Sequence, residues 1–229
     1  MTTLPSVLEE KRYSYQLIRL MTLLSPVFPI GAFSYSHGLE QAVHDRLVTS
    51  LSEMEGWLRG ILKKGAAWND AIFLAEAWRY EKKGADITPL IQLARAIAGS
   101  YERELEICMQ GEAFLKAIAH YNIVCTIADK KAAYSVAVGV VAACLELELV
   151  AVATAYFQAF VSNLIQVALR LIPLGQKDGV RLMHRLEEDI LSLSRETPKL
   201  TLNDLGSAAV MSDICAMRHE ILYSRIFRS

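Results

Sequence analysis

A chain of 229 residues, 53% hydrophobic and only 21% charged, has enough apolar surface to offset the entropy of ordering a core, which excludes intrinsic disorder over most of its length. Its 24 basic residues meet 25 acidic ones, so no cationic excess exists to neutralise phosphates, and dedicated nucleic-acid binding is not expected. Cys108, Cys125, Cys144 and Cys215 form no CxxC pair and read as buried thiols of a reducing compartment.

Residues 1–12 read as a short extension without the basic and apolar regions of a signal peptide, so a cytoplasmic location is expected. Leu17, Leu20, Met21, Leu23 and Leu24 then make an apolar helix face that stops at Ser25-Pro26. An elbow, SPVFPIGAFSYSHG, precedes LEQAVHDRLV, where helical spacing resumes. Ser50 with Glu53 is a capping box that opens the next helix, and Gly65 can close it. Asn69 to Lys83 fits a helix ended by Gly84, and Thr88-Pro89 suits a further start. Ser100 to His120 is the most charged helix, with Glu102, Arg103, Glu104 and Glu106 in its first turns, where acids favour the dipole.

Lys130 to Leu147 and Leu149 to Ile172 are an apolar pair suited to a bundle centre. The second contains 21 uncharged residues, Leu149 to Leu169, enough to span a bilayer. Yet Thr154, Gln158, Ser162, Gln166 and Arg170 recur every four residues, with Asn163 beside them, and so share one stripe. A stripe of amides suits a soluble bundle, facing a polar channel or another subunit, better than lipid. After Pro173 and Gly175, Asp178 to Ser194 is amphipathic, and a last helix is expected over Ser207 to Met217. The pattern predicts an all-α protein, a single compact domain over 1–229 of about nine or ten helices around the central apolar pair.

Catalytic constellations are missing. There is no GxxxxGK[ST] or GxGxxG turn, no HExxH and no ExxH pair. Glu40 and His44, and His184 and Glu187, share helix faces but read more simply as solvated pairs than as metal ligands. Ser34, Ser36 and His37 are neighbours in sequence, which seldom gives a nucleophile and base the right geometry. What stands out is an elbow rich in Val27, Phe28, Ile30, Phe33 and Tyr35, and a tail over 219–229 mixing Tyr223, Ile226 and Phe227 with Arg225 and Arg228. Tyr, Phe and Arg together are enriched at interface centres, so the chain reads as a binding protein; a packed strap is the alternative for the tail.

These segments resemble the UreF family of urease accessory proteins. LLSPVFPIGAFSYSHGLEQAV is similar to its N-terminal signature, AYFQAFVSNLIQVALRLIPLGQKDGVRLM to its central one and SDICAMRHEILYSRIFRS to its C-terminal one. Near Leu145 to Leu147 the family often has a small residue, commonly Gly, where this chain has CLELEL.

The resemblance implies a homodimeric, non-enzymatic, chaperone-like adaptor that binds UreD (also called UreH), recruits the GTPase UreG and serves nickel insertion into apo-urease. Nickel and GTP would be handled by the complex, with no cofactor on this chain. It also implies partner contacts at Gly31, Phe33, Ser34 and Tyr35, at Gln176, Lys177, Asp178 and Gly179, and at Tyr223, Ser224, Arg225, Ile226, Phe227 and Arg228. The stripe of Thr154, Gln158, Ser162, Asn163, Gln166 and Arg170 would suit a water-filled nickel path, a dimer contact or a buried amide network. Two further readings stand beside the scaffold: an activator of the GTPase donating Arg225 as an arginine finger, and a small integral membrane protein. The isolated chain is expected to bind nickel no better than about micromolar, with Glu40, His44 and Cys215 as the residues to suspect otherwise.

Overall fold

The computed structural model describes residues 7–123, 125, 127, 129 and 131–229, and every regular element among them is helical. Helix α1 spans Val7–Leu23, α2 Leu39–His44, α3 Leu51–Lys64, α4 Ala66–Lys83 and α5 Thr88–Ala96. They are followed by α6 (Tyr101–Ile118), α7 (Tyr134–Cys144), α8 (Leu149–Leu171), α9 (Gln176–Glu196) and α10 (Val210–His219). The all-α domain expected from the 3.6-residue periodicity is the one that forms. From Val7 onward the expected extension is already helix, and residues 1–6 lie outside the described ones. Lys130, expected to open α7, also lies outside them.

Local chemistry sets the helix ends. The Ser50 hydroxyl accepts the Glu53 N–H at 3.3 Å, while the Glu53 carboxylate takes the Thr49 N–H at 2.8 Å. Such a cap is worth about 1 kcal/mol. Ser100 caps α6 by accepting the Arg103 N–H at 3.1 Å, and Gly84 closes α4 with φ +63°. Between α7 and α8 the chain turns through Glu146 at φ +54°. This is the junction where a small residue was expected, and a glutamate there carries strain that glycine would not.

Ten of the eleven residues of α7 are buried, so this helix is apolar all round and needs partners on every side. Its chief partner is α4. A Cβ on Gly139 would lie 2.3 Å from the Leu74 carbonyl oxygen, so only glycine permits that approach. α8 packs mainly on α9. The two apolar helices therefore share a core cluster through Tyr134, Ala137, Val152 and Tyr156, but each has its broadest contact elsewhere. A second cluster joins α2, α3, α8 and α9, and a third lies between α4, α5, α6 and α7. α8 has the length and composition of a membrane span, but its apolar face fills two of these clusters and its polar stripe stays at the surface. Of the four cysteines only Cys215 is buried; Cys108, Cys125 and Cys144 are half-exposed, which corrects the expectation for those three.

Candidate functional site

The elbow between α1 and α2 is held from below and open above. Phe28 is buried with its ring centroid 5.5 Å from that of Phe114, while Val27 and Phe33 stand out into solvent. Gly31, at φ +77°, starts a turn of 3-10 helix over Ala32–Ser34. Tyr35 then turns inward and is buried, so it offers no side-chain surface to a partner in this conformation. His37 and Gly38 are both left-handed, at φ +53° and +75°, and swing the chain into α2. A Cβ on Gly38 would meet the Ala216 backbone nitrogen at 2.7 Å, so α10 rests directly on this turn.

The tail returns to the elbow. The Arg228 N–H donates to the Ser34 carbonyl at 2.8 Å, and the Ser36 N–H donates to the Ser229 carbonyl at 2.7 Å. Ser36 Oγ also donates to the Ser229 carbonyl. Burial raises the pKa of the Tyr35 phenol, and the Arg228 guanidinium acts in the opposite direction. Phe227 is only 4% exposed and belongs to the α2/α3/α8/α9 cluster. That part of the tail is a packed strap, which corrects the placement of Phe227 as a partner contact. Tyr223, Ser224, Ile226 and Arg228 remain exposed.

Under the strap lies a buried ionic network. Glu40 accepts the Ile226 and Phe227 N–H groups at 2.7 and 2.9 Å, and His219 Nε2 lies 3.0 Å from its Oε2. His219 Nδ1 lies 2.7 Å from Glu102 Oε2, and Arg225 reaches Glu102 Oε1 at 2.6 Å. Ser229 Oγ donates to Glu106 at 3.3 Å. Glu106 also faces His37 Nε2 and Arg103, each at 3.0 Å, and Arg103 continues to Asp70 at 2.6 Å. Tyr156 closes the chain with a 3.0 Å hydrogen bond to Asp70. Burial alone would push the Glu106 carboxyl up; the charges of His37 and Arg103 instead hold it down, at about 2. Burial opposes the charge of Arg103, yet Asp70 and Glu106 raise its pKa. Burial and Asp70 both raise the Tyr156 phenol, so it remains a hydrogen-bond donor.

The α8 stripe joins the pieces. Ser162, Asn163 and Gln166 line a cavity of about 150 Å³ with Ile30 and Phe33 of the elbow. Gln158, Ser162 and Gln166 line a hollow of about 200 Å³ with Gln176 and Gly179 at the start of α9. Arg170 lies over the Phe227 ring, 4.6 Å from its centroid. Asn163 donates to the Tyr35 carbonyl at 3.4 Å. Thr154 stays apart, its hydroxyl bonded within α8 to the Val150 carbonyl. Elbow, stripe, α9 start and tail thus meet on one face, with Lys177 exposed at its edge and Asp178 turned back to cap Gly175 at 3.1 Å. A further cavity of about 180 Å³ lies on the other side of the Asp70–Arg103 pair, and His37, Asp70 and Arg103 line both.

Among the described residues, Ser36 and His37 are not aligned as nucleophile and base. Ser36 is bonded to Ser229, and His37 turns Nε2 to Glu106. Glu40 is buried and faces away from the exposed His44, which pairs with Asp45 at 3.3 Å; His184 and Glu187 make an exposed pair at 3.1 Å. Among the described residues no group of three His, Cys, Asp or Glu is gathered to hold a metal. The network itself was not foreseen. Glu102 and Glu106 look like acids placed for the helix dipole, but they lie on the buried face of α6. Their signal is the four-residue line Glu102, Glu106, Gln110, Phe114, Ile118, which runs from carboxylates straight into core residues.

A sequence model of the UreF family matches residues 48–187. The urease accessory protein UreF of Mesorhizobium japonicum is 45% identical over 217 residues, covering 94% of this chain and 97% of the relative. That of Rhizobium meliloti is 44% identical over 214 residues, covering 93% and 96%. UreF 1 of Brucella canis is 44% identical over 216 residues, covering 93% and 94%.

Proposed function

The chain belongs to the UreF family of urease accessory proteins, and on that premise we propose that it is a non-enzymatic scaffold of urease maturation in the cytoplasm. As a homodimer it joins UreD/UreH and the GTPase UreG to apo-urease, and nickel and GTP are carried by those partners. The observation that supports this reading is the backbone pairing of Ser34 and Ser36 with Arg228 and Ser229. It makes two exposed segments, distant in sequence, into one preformed surface bearing Phe33, Tyr223, Ile226 and Arg228. Aromatic and arginine side chains on a rigid backbone lose little entropy on docking, which suits them as anchors.

Arg225 favours the scaffold over the arginine finger. Its guanidinium is held by Glu102 at 2.6 Å and would have to leave a buried carboxylate to reach a bound nucleotide. The α8 stripe, with the cavities beside it, supplies polar walls for a hydrated cation passing between partners.

The test is capture of untagged UreD/UreH and UreG by the tagged chain, compared with Phe33→Ala and Tyr223→Ala. Each variant should keep its helicity and melting temperature while capture falls at least tenfold, since such anchors are worth about 2 kcal/mol or more. Undiminished capture by both variants would remove this face from the interaction. GTP turnover lost with Arg225→Lys while capture is intact would favour the arginine finger.

A further inference from the structure

Among the described residues, two buried side-chain nitrogens have no hydrogen-bond partner, Trp57 Nε1 and His37 Nδ1. Trp57 is partly exposed, whereas the His37 side chain is only 8% exposed. A polar atom orphaned at that depth is costly unless a group from outside the chain satisfies it. The His37 ring lines the cavity of about 150 Å³ beside the elbow, and its Nε2 is spent on Glu106 at 3.0 Å, a residue that does not line this cavity. Other polar groups of the cavity already have partners. Asp70 holds Arg103 and the Tyr156 hydroxyl, and the Gln110 amide donates to Glu106 at 2.9 Å.

The walls are apolar and aromatic. Leu24, Ile30, Phe33, Tyr134 and Phe160 surround the space, with the Phe160 ring centroid 4.8 Å from that of His37. A closed apolar cavity of about 150 Å³ is the size that takes one benzene ring. Pro26 and Phe33 line it and are exposed, so it opens at the elbow.

We propose that this cavity is a socket for a single aromatic ring tipped with a hydroxyl, the side chain of a tyrosine offered by a docking partner, with the hydroxyl bonded to His37 Nδ1. The geometry selects the hydroxyl. If a neutral imidazole donates from Nε2 to the Glu106 carboxylate, Nδ1 is a lone pair and needs a donor. If the ring is doubly protonated, or a protonated Glu106 donates to Nε2, Nδ1 carries an N–H and needs an acceptor. A hydroxyl can do either, so the fit holds in every protonation state. A bare ring would leave Nδ1 orphaned, and a charged tip would lose its hydration among aromatic walls. Tyrosine combines the apolar body with the polar tip and is enriched among interface anchors. The opening beside Phe33 lies on the face proposed to dock, so the choice of a protein tyrosine rests on that reading; the socket itself does not.

The socket is tested on the isolated full-length chain by NMR titration with p-cresol, which is the tyrosine side chain alone, and with toluene, the same ring without its oxygen. A merely apolar hole would favour toluene, the more hydrophobic of the two. The socket should instead bind p-cresol at least about tenfold more tightly, because toluene leaves a buried polar atom unpaired. The nitrogen-15 signals of the His37 ring should move on p-cresol binding. Toluene bound as well as p-cresol, unmoved His37 signals, or no binding of either because the cavity holds water only would each overturn the socket. Ala159→Leu, which fills the cavity from α8, should abolish binding of both compounds, and retained binding in a folded variant would place them elsewhere. The occupant is tested separately in the capture assay. Saturating p-cresol should lower capture of the untagged partners and toluene should not. Capture unaffected by p-cresol, with the socket shown to bind it, would refute the partner tyrosine and assign the site to a free small phenol.

Discussion

Arg170 lies over Phe227, its guanidinium carbon 4.6 Å from the ring centroid, so the last polar residue of the α8 stripe covers the tail side chain that enters the hydrophobic core. Packing and the proposed recognition are therefore carried by different residues a few positions apart in the tail. Phe227→Ala should destabilise the isolated chain by about 3–5 kcal/mol, as for other buried aromatic truncations. Tyr223→Ala should leave the melting temperature unchanged while reducing partner capture. Thermal melts and pull-downs on the two variants check both halves. Equal melting losses would mean that Tyr223 is also a packing residue.

Glu146→Gly should stabilise the chain. The left-handed conformation costs a side-chain-bearing residue roughly 1–2 kcal/mol, against roughly 0.5–1 kcal/mol of extra chain entropy for glycine. The exposed pair with Arg12 contributes little, and the Gln16 bond goes to the Glu146 carbonyl, which the substitution keeps. Chemical denaturation should show a net gain of about 0.5–1 kcal/mol; a loss would mean that the Arg12 contact outweighs the strain.

Acid should weaken the fold through Glu106. Its carboxyl is held at about 2, against 4.5 for an unperturbed glutamate, so its contribution is full above pH 4.5 and lost as the pH falls towards 2. Stability should drop by on the order of a few kcal/mol across that interval. Glu106→Gln should flatten the dependence there, and an unchanged slope in that variant would assign the acid sensitivity to other carboxylates.

Gly139→Ala forces a methyl group to within 2.3 Å of the Leu74 carbonyl oxygen unless α4 and α7 separate. Because both helices are buried, separation opens voids in two core clusters. A loss of about 1–3 kcal/mol is expected from denaturant melts. Gly84→Ala, at an open left-handed position, should cost only about 1 kcal/mol by comparison.

Most of the helix plan could be read from local signals. Ser50 with Glu53, Ser100, Gly84 and Thr88-Pro89 mark ends because their chemistry acts within one turn of chain. The start of α7 was less visible, since an apolar helix buried on all sides has no polar face to mark its phase. The face itself is legible only as fragments: Phe33 and Arg228 stand out by composition, Gln166 by its spacing and Gln176 only by the family resemblance, and their meeting depends on packing. The ionic network beneath was not legible. Its carboxylates and cations come from α2, α4, α6, α10, the elbow and the tail, and each alone resembles an ordinary surface charge. Glu40 shows the difficulty, since its i, i+4 spacing points to His44 while its partners lie 179 to 187 residues away.

The bond between Ser36 and Ser229 joins points 193 residues apart. Loop closure over such a span is entropically slow and has to follow formation of the helices that bring its ends together. During synthesis the elbow emerges early but has nothing to pair with until the tail appears. The proposed docking face is thus assembled only after the 225–229 segment has been made and has folded back on the elbow. Chains stopped before residue 220 should be largely helical yet unable to capture partners, and capture by such chains would show that the elbow suffices alone.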